Sequence, residues 1–397
     1  MKNDILPTDK EQRPFRHHLG ALIFLVAIFF LNFIARVIPA PLLPSIEKDM
    51  QLSHSAAGSF FLFISLGYFI ALAGSGFVSS RLTHRRAIIL SCEAMGLALL
   101  CICVSQNLWT IRPALVLLGL AAGLYLPSAI ASITHMVDSR HWGKALAIHE
   151  LAPNSGFMLA PILAEAMLIW LSWRGILAVL GISILCLGIA YARWGRGGRF
   201  AGQAPDLNSM RRLGAEPGFW IIMLLFGLAI SSTMGIYTML PLYLVVERGI
   251  DHAWANTLIG LSRISSVGMA FLSGFVTDRF GSRATMIGVF LLTGTATLGL
   301  GMANDDWVIV FLFLQPMVAV CFFPAGFAAL SAIGPPETRN VAVSMTIPFA
   351  FLMGAGIVPA VIGFLGDMGK FSLGIELTGG LILCGTGVAY FLKLPSK

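Results

Sequence analysis

Charge is what this 397-residue chain has least of: Asp, Glu, Lys and Arg together make up 11% of it, against 57% hydrophobic residues. A soluble domain is about 25% charged, so a water-exposed globule of this length is excluded. Cysteine is also scarce, and Cys92, Cys101, Cys103, Cys186, Cys321 and Cys384 all fall inside apolar segments. They offer neither a disulfide framework nor a zinc spacing. The phosphate-cradling loop GxxxxGK[ST] is missing, and His149-Glu150 lacks the second histidine of a metalloprotease helix. The chain therefore reads as no enzyme, with no metal and no cofactor expected. The net charge of +7 comes from basic residues scattered along segment edges, which argues against a nucleic-acid partner. Strict apolar–polar alternation is absent, which excludes an outer-membrane barrel. Residues 1–18 are polar, and the apolar stretch after them is too long for a signal-peptide core, so it reads as a first membrane span.

What is present is a succession of long apolar runs, with mean hydropathy +0.84. A spanning helix needs about 20 such residues. Twelve spans are predicted, at 20–43, 56–79, 87–106, 112–135, 145–169, 174–192, 219–244, 253–277, 284–302, 307–333, 341–365 and 373–392. An even count puts both chain ends on one side. The ends and the even-to-odd loops hold nineteen Lys and Arg: Lys2, Lys10, Arg13 and Arg16, then Arg81, Arg85 and Arg86, then Arg140 and Lys144, then five between Arg193 and Arg212, then Arg279 and Arg283, Arg339, Lys393 and Lys397. The opposite loops hold five: Lys48, Arg112, Arg174, Arg248 and Lys370. Positive charge stays inside, so the expectation is a multi-pass inner-membrane protein with cytoplasmic ends. Residues 193–218, rich in Gly and Arg, read as a flexible linker between an N-terminal six-helix bundle, 1–192, and a C-terminal one, 219–397.

The halves repeat. A shift of 198 positions aligns Ser75-Gly76-Phe77-Val78 with Ser273-Gly274-Phe275-Val276, Arg81 with Arg279, Arg85 with Arg283, Gly156 with Gly354 and Pro161 with Pro359. Pro127 and Pro324 agree within one residue. Transporters are often built from such repeats, with the substrate site near the midplane between them. The loop Gly274-Phe275-Val276-Thr277-Asp278-Arg279-Phe280-Gly281-Ser282-Arg283 resembles the G-x-x-x-D-R-x-G-x-[RK] motif of the major facilitator superfamily. The resemblance covers the whole chain. It implies an all-α integral membrane protein, with twelve transmembrane helices in two pseudo-symmetric six-helix bundles that rock to give alternating access. In the first copy Ser80 replaces the acidic residue and Thr83 the second glycine, so the gating role implied for Gly76, Arg81, Gly274, Asp278, Arg279 and Arg283 rests most on Asp278. The glycines are expected to let helices approach closely. The alternative is that the arginines only hold tight loops.

Five ionisable residues fall at bilayer depth, where a charge costs at least about 2.5–3.5 kcal/mol: Arg36, Glu93, His149, Glu150 and Arg263. Arg36 lies past the middle of the first span, with Asn32 one turn earlier. The stretch Arg36 to Pro44 resembles the first helix of organic-anion and organophosphate members of the superfamily, where an arginine at this spacing contacts the anion. A guanidinium fork suits a carboxylate because it stays charged and donates paired hydrogen bonds. Arg263, in the eighth span, could clamp the same anion from the other half. Against this stands a structural ion pair for either arginine, with Glu247 for instance in the case of Arg36. His149 and Glu150 are candidate proton carriers, unless they are hydrated or paired with Lys144. Glu93 either couples to protons or pairs with the loop arginines near it. Asn154, Tyr125, Ser128, Ser232, Tyr237 and Gln315 are mid-depth polar residues able to line a cavity or to pack helices.

The leading expectation is a secondary active transporter, acting as a monomer, that moves a small organic anion with protons as coupling ion. The alternatives are an efflux pump for drugs or a siderophore-like metabolite, and a membrane sensor that keeps the transporter fold.

Overall fold

The computed structural model describes residues 15–202, 207–334 and 339–394. Lys2, Lys10, Arg13, Lys397 and the side chain of Arg339, used above to orient the chain, lie outside what is described. The described chain is helical. It runs α1 (Phe15–Met50), α2 (His54–Arg81), α3 (His84–Val104), α4 (Leu108–Met136), α5 (Ser139–Leu168), α6 (Trp173–Trp194), α7 (Pro217–Glu247), α8 (His252–Ser262 continued by Ile264–Phe280), α9 (Ser282–Met302), α10 (Asp305–Ala332), α11 (Val341–Gly366) and α12 (Phe371–Phe391). Eleven of these are long and apolar enough to cross a membrane, and α8, broken at Arg263, completes the set of twelve. Each expected span lies within one helix or overruns it by a residue or two. The polar breaks between spans are the caps that start helices. Ser53, Thr83, Asn107 and Ser172 each accept a hydrogen bond from the backbone N–H three residues on, opening α2, α3, α4 and α6.

The repeat has a structural counterpart. The Arg85 guanidinium reaches the last carbonyls of α6, at Tyr191, Ala192 and Gly195, and lies 5.4 Å from the Tyr191 ring centre. Arg283 reaches the Tyr390 carbonyl at the end of α12 and lies 5.0 Å from its ring. Both arginines thus cover the orphaned carbonyls of a helix C-terminus. Gly156 of α5 faces Phe33 of α1, and Gly354 of α11 faces Ile230 and Ser231 of α7, in each case so closely that a Cβ would stand 2.4–2.5 Å from its neighbour.

The inter-bundle stretch is not uniformly loose. Gly197 and Gly198, at φ +91° and +70°, turn the chain back under the N-terminal half. There the backbone pairs His84 N–H with Phe200 O, Arg85 N–H with Gly198 O and Gly202 N–H with Ser79 O. The Phe200 ring stacks on His135 and meets His84 edge-on. A short helix, Leu207–Gly214, follows.

We call the side holding the chain ends the terminal face and the other the distal face. The halves meet along α1–α7, α2–α11 and α5–α8. The closest approaches are at distal ends: a Cβ on Gly58 would lie 2.6 Å from Pro359 O, and one on Gly363 would lie 2.4 Å from His54 O. The terminal parts of α4, α8 and α10 pack within their own halves. Among the described residues, the closest contacts between the halves therefore lie on the distal side.

Candidate substrate site between the two halves

Arg36 is 2% exposed, and no carboxylate pairs with it among the described residues. Its guanidinium carbon lies 4.4 Å from the ring centre of Tyr68, 5.2 Å from Phe33 and 5.5 Å from Phe351. The Nε has no hydrogen-bond partner. Arg263 repeats the pattern in the other half: 5% exposed, it lies 4.7 Å from the Tyr237 ring and 5.0 Å from Phe157, with Nε again unpartnered. One terminal nitrogen makes a long contact, 3.4 Å, to Thr233 O. Phe33 and Phe157 meet edge-on at 4.7 Å, so two rings link the arginines across the seam. Each cation is held by π faces, worth about 0.5–2 kcal/mol, and its Nε is left uncommitted. The structural ion pair with Glu247 is not formed: that carboxylate accepts from Ser372.

The sequence builds this arrangement through broken helices. Pro161 has no N–H, which frees the carbonyl four residues earlier. That carbonyl, Phe157 O, accepts the Tyr237 hydroxyl at 3.1 Å and ties α5 to α7. Arg263 sits where α8 breaks into two helical pieces. α7 and α11 each carry a π-turn, Ser231–Gly235 and Leu352–Ile357, and these turns face each other through Gly235 and Gly354. Such turns widen a helix locally and recur at functional sites.

His149 is fully buried, stacked on Phe29 at 4.4 Å. Its Nε2 lies 3.2 Å from the Tyr125 hydroxyl, which itself donates to Leu25 O at 2.6 Å. That hydroxyl has spent its single proton, so it must accept from His149 Nε2–H. In the neutral ring Nδ1 then carries the lone pair. It has no hydrogen-bond partner and faces Glu150 Oε1 at 3.7 Å. Glu150 is 56% exposed and within electrostatic reach of Tyr68, the ring beneath Arg36. The expected partner Lys144 instead lies over the Phe15 ring.

Other expected residues go elsewhere. Asn32 donates to Ala122 O of α4 at 3.2 Å, and Gln315 donates to Ser232 O at the α7 π-turn at 2.7 Å. In each case the amide nitrogen ties to a neighbouring helix. Asn154 bonds back to Glu150 O on its own helix. Glu93 forms no ion pair among the described residues and rests against Gly188 of α6, because Arg85 is engaged on the α6 carbonyls. Arg81, Asp278 and Arg279 are exposed, Gly76 is half-buried, and a Cβ on Gly274 would meet nothing within 4 Å. The close approach expected at Gly274 is not found among the described residues.

Sequence reasoning named Tyr237, the ring nearest Arg263, but missed the other aromatic residues under the two arginines. Phe33, three residues before Arg36 and hence on its face, was the readable signal; Tyr68, Phe157 and Phe351 come from distant helices. It also missed the polar contacts that cross the distal seam. Asp367, beyond the end of α11, accepts the N–H groups of His54 at 2.7 Å and Ser55 at 3.2 Å. Burial works against its charge, but the Ser55 side chain, these two N–H groups and the His54 ring outweigh it and hold the carboxyl below the usual carboxylate range.

Comparison with known proteins agrees with this architecture. The chain is 24% identical over 410 residues to a gallate transporter of Pseudomonas putida, covering 90% of this chain and 86% of the relative. It is 23% identical to the membrane sensor protein UhpC of Escherichia coli, covering 82% and 78%. Over a shorter stretch, 40% of this chain and 38% of the relative, it is 26% identical to the multidrug resistance protein MdtH of an Enterobacter species. Among solved structures, a bacterial homologue of the human lysosomal transporter Spinster, inward-facing and unoccupied, superposes with TM-score 0.84 at 14% identity, over 96% of this chain and 98% of that one. The D-xylose–proton symporter superposes with TM-score 0.77 at 14% identity, over 95% and 98%. The family profile of the Major Facilitator Superfamily matches residues 25–276, and with the twelve helices and the repeat this places the chain in that superfamily of membrane transporters.

Proposed function

We propose that the protein is a proton-coupled secondary transporter of a small organic anion, which binds between Arg36 and Arg263. The observation that carries this reading is the pair of buried guanidiniums, one from each half, supported by rings and free of any carboxylate partner among the described residues. A buried cation without a counter-charge is costly, and a carboxylate ligand supplies the missing charge. The flanking Phe33, Phe157, Tyr68 and Tyr237 favour a planar acid with a ring. The relative named for gallate, itself a ring-bearing acid, is consistent with that preference. A site with two fixed cations disfavours the cationic and neutral drugs that an efflux pump would carry.

The proton is assigned to His149 Nδ1, where the added charge would pair with Glu150. The terminal face is assigned to the cytoplasm of a bacterial inner membrane from the lysine and arginine distribution. Asp278 and Arg279 would then close the cytoplasmic gate in the outward-open state, as the two halves rock about residues 1–192 and 219–397, acting as a monomer. The test is uptake of radiolabelled aromatic and aliphatic carboxylates into proteoliposomes. Wild type should accumulate at least one of them under an inward proton gradient, and Arg36→Gln and Arg263→Gln should each lose most of that uptake. Undiminished uptake by both variants would defeat the clamp.

A further inference from the structure

Three side chains on the distal seam form a cluster that the anion site does not use. Glu165 of α5 presents Oε1 to two donors: His252 Nδ1 at 3.1 Å and Asn256 Nδ2 at 2.6 Å, both from α8. The far side of the same pair meets α1. Pro41 O lies 3.0 Å from His252 Nε2 and 3.2 Å from Asn256 Nδ2. Both α1 and α5 belong to the N-terminal half and α8 to the C-terminal half, so every one of these contacts crosses the seam.

The protonation state follows from the partners. A backbone carbonyl only accepts, so the 3.0 Å contact to Pro41 O calls for a hydrogen on His252 Nε2, with the Asn256 amide hydrogens, 3.3 Å from Nε2, turned instead to Glu165 and Pro41. A carboxylate also only accepts, so Nδ1 must carry one as well. The ring is then an imidazolium, or equivalently the hydrogen between Nδ1 and Oε1 belongs to Glu165. Either way the pair holds one proton more than a neutral imidazole beside a carboxylate. Asn256 fits only with its NH2 toward Glu165 and Pro41, since the reversed amide would set oxygen against both acceptors. Without the extra proton, one of the two short contacts becomes acceptor against acceptor.

The cluster is placed to act on the anion site. Pro41 is five residues beyond Arg36 on α1, and Asn256 is two turns from Arg263 on α8. Asn256 is fully buried, whereas His252 and Glu165 keep 24% and 19% exposure, enough for water on the distal side to reach them. The other charged groups on helices packed near this seam are engaged elsewhere or face solvent. Glu47 pairs with His54, Asp49 with Arg174, Arg248 with Asp305 and Glu247 with Ser372, while Asp251 caps Trp254 N–H. Lys48 and Asp306 are exposed. His149 and Glu150 lie at the other end of α5.

We propose that Glu165, His252 and Asn256 form a proton-binding latch that holds the distal face shut, and that losing this proton to distal water frees α8 from α1 and α5. The latch is a second proton site, separate from His149, and it sets which solution sees the anion site. It deepens the transporter reading, and its test needs no transported substrate. Spin labels are placed at Trp109→Cys in the N-terminal half and Met368→Cys in the C-terminal half, both exposed on the distal face, with the native cysteines replaced by serine. Inter-label distances are measured by pulsed dipolar spectroscopy in lipid nanodiscs at about pH 5.5 and about pH 8.5, either side of the ordinary histidine range. The wild-type residues should give a short distance in acid and a growing long-distance population in base. Glu165→Gln and His252→Gln should each abolish the pH response, while His54→Gln and His149→Gln should retain it. The proposal is overturned if wild type shows no pH response, or if that response survives in both Glu165→Gln and His252→Gln. A lost response beside intact anion uptake, or the converse, separates the latch from the clamp.

Discussion

Replacing Arg36 with methionine separates a functional cation from a structural one, because the two predict opposite changes in stability. A charge at bilayer depth costs at least about 2.5–3.5 kcal/mol. The rings of Tyr68, Phe33 and Phe351 return part of this, each contact at the lower end of about 0.5–2 kcal/mol. Methionine keeps the length and the contact with the rings but not the charge. The balance for Arg36→Met falls between neutral and about 2 kcal/mol more stable. A structural ion pair would behave otherwise: removing one partner of a buried pair costs about 3–5 kcal/mol. Binding should move the opposite way to stability. Losing a charged hydrogen-bond donor to a bound carboxylate costs about 1.5–3 kcal/mol, or roughly ten- to hundredfold in Kd. The assays are thermal unfolding of the purified protein in one detergent, followed by intrinsic tryptophan fluorescence, and equilibrium binding of a transported carboxylate. The expected result is an unchanged or raised Tm with binding lost. A Tm lowered by several degrees would refute the reasoning.

Three further outcomes are expected. His149→Phe keeps the stack on Phe29 but removes the Nδ1 lone pair facing Glu150, so proteoliposomes should retain carboxylate counterflow while losing accumulation driven by a proton gradient. Asp367→Asn removes a carboxylate whose folded-state affinity for protons is depressed. Such a group stabilises above its unfolded value, about pH 4, and the benefit fades as pH falls through the lower folded value. The Tm gap between wild type and Asp367→Asn should therefore be open at neutral pH and close in acid. Arg85→Gln strips the α6 C-terminus of its cover and should lower Tm, with the bound-anion Kd unchanged within about twofold, inside the usual scatter for distant sites.

The helices could be read directly because lipid imposes a simple rule on the chain. Apolar runs bounded by Ser53, Thr83, Asn107 and Ser172 gave span limits close to the observed ones, since those residues are the caps. The 198-residue shift was equally visible, and the Arg85–Tyr191 and Arg283–Tyr390 contacts give it physical meaning. The deep charges were legible for the same reason: charge is rare, so Arg36 and Arg263 stood out. Their surroundings were not. The rings of Tyr68, Phe157 and Phe351 are three among many aromatics, and nothing local marks which of them will meet an arginine from another helix. Asn32 and Gln315 show the converse. Each lies at the right depth, but depth does not say which way a residue faces, and both turn toward a neighbouring helix. Glu165 and Asn256 were passed over because each sits near a helix end, where polar residues are ordinary. Only the meeting of α1, α5 and α8 gives them a shared role.

The most direct test of the central claim is the charge requirement of the ligand. Transporter currents are recorded on solid-supported membranes carrying proteoliposomes, with benzoate and 3,4,5-trihydroxybenzoate each compared with its own amide. The amides keep the ring and remove the anion. The account predicts a transient current for at least one acid, none for its amide, and none for either in the Arg36→Gln/Arg263→Gln double variant. Equal responses to acid and amide, or an acid response that survives in the double variant, would contradict it.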